Sequence, residues 1–178
     1  MILDIVKYPD NRLKIKSKNV ELFDESLHTH LDNMYETMLR FNGIGLASVQ
    51  VAKPIRLFII NLPMNDDDEE QTQSKNDLVE FINPVIKSSE GTTMYQEGCL
   101  SVPEFYEDVE RHEAIVITFQ NRDAEEQTLE CDGLLAIAIQ HELDHLEGKL
   151  FIDKLSYIRR KKFEKEYKRA QKEKAKKN

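Results

Sequence analysis

Six apolar residues, Leu134 to Ile139, lead through Gln140 into His141-Glu142-Leu143-Asp144-His145. A run this apolar, opened by Gly133 and continued by histidine and glutamate, predicts a helix buried nearly all round. Positions i and i+4 of a helix share a face, so two imidazoles one turn apart converge on one divalent ion. Glu142, beside the first imidazole, reaches a water on that ion without ligating it, which is the place of a general base. The plainer reading is a polar patch on a surface helix, and the apolar flank argues against it.

Two histidines call for a third ligand if one coordination position is to stay open for water. The candidates are Cys99, Cys131, His112 and the acids. Cys99 lies in Glu97-Gly98-Cys99-Leu100-Ser101-Val102-Pro103, where Gly98 lets a backbone approach closely and Pro103 fixes the exit. Cys131 precedes a turn and reads as structural, and His28, His30 and His112 read as surface or core histidines. A second constellation is Gly43-Ile44-Gly45-Leu46-Ala47-Ser48-Val49-Gln50. Its small residues admit a substrate backbone, and the Gln50 amide can donate to an oxyanion. Taken alone, this segment is more simply a turn leading from a helix into a strand.

Around these motifs, Leu27, Leu31, Met34 and Met38 recur at helical spacing behind a capping Asp24, which predicts a helix over about 25–41. Ile55–Asn61 reads as a largely buried strand and Leu78–Ile82 as another, ended by Asn83-Pro84. The acidic, apolar-poor run 65–74 between them predicts a mobile hairpin insertion. Ala114–Phe119 and Gln127–Glu130 read as strands flanking the turn Asn121-Arg122-Asp123, and Ile158 onward as a last helix that frays after Lys172. At 178 residues and with 40% hydrophobic residues, the chain fits one folded unit.

Taken together, Gly43–Gln50, Glu97–Ser101 and His141–His145 stand in the order and separation of the three motifs of the peptide deformylases, and the chain resembles that family from Tyr8-Pro9-Asp10 to Leu155. The resemblance implies removal of the formyl group from N-formylmethionine at the start of nascent bacterial polypeptides. It implies an α+β fold, with small antiparallel sheets around the metal-binding helix, an N-terminal helix and a C-terminal helix. It also implies that Cys99, His141 and His145 hold one divalent ion, natively ferrous iron, with zinc, nickel or cobalt able to substitute. Glu142 is then base and later acid, Gln50 and the Leu100 N–H hold the oxyanion, and Gly45 pairs with the substrate backbone. Gly43, Ile44, Glu97, Gly98, Leu134, Ile137 and Ala138 line the substrate site; spacing independently puts 134, 137, 138, 141 and 145 on one helical face. Ser48 departs from the family, which usually has alanine there. Arg111 and Asp144 are expected to pair and brace the metal helix from outside. A zinc endopeptidase with the same His pair, or a non-catalytic ribosome-binding relative, are the alternatives; the latter would be expected to have lost Glu142, Gln50 or a ligand.

Charge separates two expected segments. Residues 159–178 hold eleven Lys/Arg against three acids, a local +8 in a chain of net charge −8, so the remainder carries −16. We therefore expect a catalytic domain over 1–158 and a basic helical tail over 159–178 that meets an anionic partner. The resemblance makes that partner the ribosome. Two cysteines are too few for a disulfide framework, and neither a secretory leader nor a membrane span is visible, so cytoplasmic location is expected.

Overall fold

A computed structural model describes residues 1–62 and 73–176. Its largest sheet has five antiparallel strands: β1 (Gly45–Ala47), β2 (Leu57–Asn61), β3 (Leu78–Glu90), β6 (Ala114–Gln120) and β7 (Glu126–Asp132), in the order β1-β2-β3-β6-β7. A second antiparallel pair joins β4 (Thr93–Cys99) to β5 (Val102–Arg111). With α1 (Glu25–Arg40), α2 (Gly133–Leu146) and α3 (Tyr157–Ala175), this is the expected α+β arrangement, with small antiparallel sheets packed about α2.

The large sheet is covered on both faces. Every residue of β2 is buried, because successive side chains of a strand point to opposite faces. Leu57 and Ile59 meet Leu31, Met34 and Met38 of α1, while Phe58 and Ile60 meet Ala136, Ile139 and Leu146 of α2. Burying each such side chain stabilises the fold by about 1.5–3 kcal/mol. Asp24 starts α1 as its spacing predicted, accepting from the Leu27 N–H at 3.0 Å.

Three readings of the sequence need correction. Leu78–Ile82 does not end at Asn83-Pro84. The strand continues to Glu90 through a register shift between Ile82 and Val85, with Asn83 at φ 52°, and a bulge is where a sheet tolerates proline. Strands β4 and β5 escape the sequence reading because their exposed faces mix acids and aromatics without clean alternation. Helix α3 also stays regular to Ala175, past the fraying expected after Lys172, with Phe163 and Tyr167 buried among Tyr8, Phe105, Leu150 and Phe151. The expected insertion at 65–74 lies, up to residue 72, outside the described residues.

Candidate metal centre

The site is assembled from α2, the end of β4, the edge of β1 and the 3-10 turn Ser48–Val51. Helix α2 starts at Gly133, whose φ of 55° is a left-handed conformation that glycine adopts without penalty. Its residues 136–140 are buried, which holds the following turn rigidly. His141 and His145 consequently lie one above the other, with ring centroids 5.0 Å apart. On β4, a register shift between Glu97 and Cys99 delivers Cys99 to the same place.

Cys99 Sγ, His141 and His145 form a group whose ligand atoms all lie within 4.8 Å of one another. The Cys99 sulfur is 3.2 Å from His145 Nε2. Each imidazole is prepared differently. Glu97 holds His141 by Nδ1, with Oε2 at 2.7 Å, which leaves Nε2 as its ligand atom. Burial, with the nearby His141 and Arg111 charges, holds the His145 ring well below its ordinary pKa, in the neutral form a metal takes. At His141, burial opposes protonation, but hydrogen bonds to Cys99 and Glu97 outweigh it.

Glu97 is the residue whose part the sequence did not show. It was expected along the substrate pocket and does border the cleft, but its carboxylate is occupied elsewhere. Arg111 donates to both of its oxygens, Nε to Oε1 at 2.6 Å and Nη2 to Oε2 at 2.9 Å. The third arm of Arg111, Nη1, reaches Asp144 Oδ2 at 2.6 Å, so the expected Arg111–Asp144 pair forms and extends through Glu97 to His141. Burial would push the Glu97 carboxyl up, but Arg111 and His141 hold it down at about 2. The available signal was a carboxylate two residues before a candidate ligand cysteine.

Glu142 is buried, and its Oε2 has no hydrogen-bond partner among the described residues. Burial pushes its carboxyl up to about 7, opposed by His141 and reinforced by Glu97. A carboxyl at that value can both take and return a proton near neutrality. Gln50 is fixed at both ends of its amide: the Ala47 N–H donates to Oε1 at 2.8 Å, so Nε2 faces Cys99 Sγ at 3.5 Å and Ser101 Oγ at 3.1 Å.

These groups open into a cleft of about 600 Å³ lined by Gly43, Ile44, Glu97, Gly98, Cys99, Leu100, Leu134, Ile137, Ala138, His141 and Glu142. Gly45 stands behind Glu142 instead of on this lining. Phe41, Tyr95 and Tyr106 complete the rim and were missed. Tyr106 lies against Gly98, where an added Cβ would meet its ring at 2.6 Å.

The chain matches the family model described as polypeptide deformylase over residues 2–161. The chain belongs to the polypeptide deformylase family. A peptide deformylase from Wolinella succinogenes is 55% identical over 170 residues, covering 96% of this chain and 98% of its own. A peptide deformylase from Legionella pneumophila, solved by crystallography, aligns with a TM-score of 0.84 at 38% identity, over 96% of this chain and 98% of its own. A Met-Ala-Ser-bound class I type b peptide deformylase from Acinetobacter baumannii aligns with a TM-score of 0.79 at 30% identity, over 87% and 99%. The deformylase family is metal-dependent, and the cluster of Cys99, His141 and His145 is a donor set that suits it.

Proposed function

We propose that this enzyme hydrolyses the formyl group from N-formylmethionine at the start of nascent polypeptides, with Cys99, His141 and His145 holding one divalent ion. The observation that carries the site reading is the meeting of a sulfur and two ring nitrogens within 4.8 Å, beside a buried carboxylate oxygen with no hydrogen-bond partner among the described residues. Mixed sulfur and nitrogen donors suit ferrous iron or zinc. We take ferrous iron as the native ion, with zinc, nickel or cobalt as substitutes.

When bound, the ion acts as a Lewis acid that acidifies water and polarises the formyl oxygen. Glu142 takes the water proton and returns it to the leaving amine, giving formate and a free N-terminus. Gln50 Nε2 and the Leu100 N–H face the charge that builds on the formyl oxygen, and one such donor is worth about 3 kcal/mol. Ile44, Leu134, Ile137 and Ala138 form an apolar wall for the methionine side chain, with Gly43 and Gly98 giving the peptide room. The Met-Ala-Ser bound to the Acinetobacter relative begins with the residue this wall would take.

The substrate main chain adds to a sheet edge. Strand β1 ends the five-stranded order, and the Asn61 N–H donates to the Ile44 carbonyl at 2.9 Å. Alternation then turns the N–H and C=O of Gly45 away from β2, toward the open side.

We assign 1–158 to the catalytic unit and 159–178 to an anion-facing helix. On α3, Arg159 and Lys174 bond to Glu107 and Glu104 of β5. Lys165, Lys168 and Lys172 have no acidic partner among the described residues and recur along one helical face. That stripe suits ribosomal RNA phosphates. Among the described residues no helix is long and apolar enough to cross a membrane, and we place the enzyme in the cytoplasm, where nascent chains are made.

The test pairs elemental analysis of anaerobically purified protein with formate release from formyl-Met-Ala. One equivalent of metal and rapid formate release support the reading. Cleavage of an internal peptide bond instead would transfer it to the endopeptidases, and loss of neither bond to a non-catalytic relative.

A further inference from the structure

Ser48, the departure from the family's usual alanine, is fully buried, and its hydroxyl is used twice. It donates to the Lys53 carbonyl at 2.7 Å and lies 2.8 Å from Nε2 of His30, a buried residue of α1. Because the hydroxyl proton points to Lys53, the His30 ring is the donor, carrying its hydrogen on Nε2. Burial, with the Lys53 ammonium adding, lowers the ring to about 4 and keeps it neutral. The Lys53 N–H returns a bond to the Ser48 carbonyl at 3.1 Å, and Ala52 takes a left-handed φ of 62°. The turn that presents Gln50 is therefore closed from both sides of residue 48 and tied to the middle of α1.

We propose that His30 and Ser48 are positioning residues for the deformylation reaction, a brace that fixes the Ser48–Val51 turn and so aims the Gln50 amide at the reacting formyl oxygen. The proposal rests on Gln50 acting as an oxyanion donor. Within the turn, Gln50 Oε1 is held by Ala47, directly before Ser48, and the Gln50 carbonyl accepts from Val6 at 2.7 Å. A slack turn would misplace Nε2, whose contribution appears only as charge develops. The brace should then act on kcat and leave KM alone. Alanine at this position is harmless only where the facing residue needs no partner; in this chain it would strand a buried imidazole N–H.

The experiment measures kcat and KM for formyl-Met-Ala with the metal-loaded enzyme, with thermal melting to follow folding. Ser48→Ala should lower kcat about tenfold, part of the full value of an oxyanion donor, with KM within about twofold. Ser48→Ala with His30→Leu should lose no more kcat than Ser48→Ala alone, because both residues act through one tie, while its melting temperature should recover because no donor is left stranded. His30→Gln, which keeps an N–H at the same reach, should stay close to wild type. In a Gln50→Ala background, Ser48→Ala should add nothing. If Ser48→Ala fails to fold, His30→Leu alone should show the same fall in kcat. Wild-type kcat in Ser48→Ala, or in His30→Leu, while Gln50→Ala is impaired would overturn the brace. So would an undiminished Ser48 effect without Gln50. A fully active Gln50→Ala would remove the underlying assignment of Gln50 and the proposal with it.

Discussion

The Cα of Gly45 rests against the carboxylate of Glu142, so closely that a methyl group built there would meet Oε1 at 2.5 Å. Glycine at 45 thus leaves the Glu142 carboxylate the room it occupies. Gly45→Ala should displace the carboxylate, lowering kcat by about a hundredfold while the metal stays bound. Formate-release kinetics beside metal analysis check this, and unimpaired turnover would show that the carboxylate moves aside freely.

Glu142→Gln keeps the shape of that contact and removes the proton acceptor. Turnover should fall by about a thousandfold or more, the range of general acid–base catalysis, with metal content unchanged. Cys99→Ala should differ in kind, losing metal and activity together, because the proposed site would lose one of its three protein donors. Metal retention in Cys99→Ala would refute the ligand set.

Arg111 is 4% exposed and faces two carboxylates. Arg111→Ala would leave the buried Glu97 carboxylate without its cation, while Asp144 keeps Lys154 at 3.3 Å, destabilising the fold by about 3–5 kcal/mol. Metal affinity should also fall, by about 10–100-fold, through the freed Glu97–His141 contact. Chemical denaturation and competition with a chelator measure the two separately.

His30 should make the fold acid-sensitive. Its ring is lowered from 6.5 to about 4 in the fold, chiefly by burial. Between those values the unfolded chain binds a proton that the folded chain excludes, so stability falls as pH drops from 6.5 toward 4. The change is on the order of 3 kcal/mol across that window. His30→Gln should flatten this part of the pH profile in urea titrations; an unchanged slope would mean that other groups cause it.

The helix α1, the metal helix and the sandwiched strand β2 were legible in the sequence because each carries an uninterrupted period or run. Of the candidate metal cluster, His141 and His145 were legible because they are one helical turn apart, whereas Cys99 stood out from the other candidates only through the family resemblance. Glu97 was not: the β4–β5 register sets Arg111 opposite Thr93 and Glu97 opposite Glu107, and the pair forms only because the long arginine side chain spans that offset. The same limit hid His30, since a buried histidine on an apolar helix face has no sequence mark until its Ser48 partner is placed against it.

Strand β1 contributes only three residues to the end of the sheet. A partner docking there meets peptide groups, which every protein shares, and few side chains beyond the methionine wall. The proposed mode of capture is therefore suited to generality: one catalyst can serve newly made proteins of unrelated composition, because what it grips beyond the first amino acid is the feature they have in common.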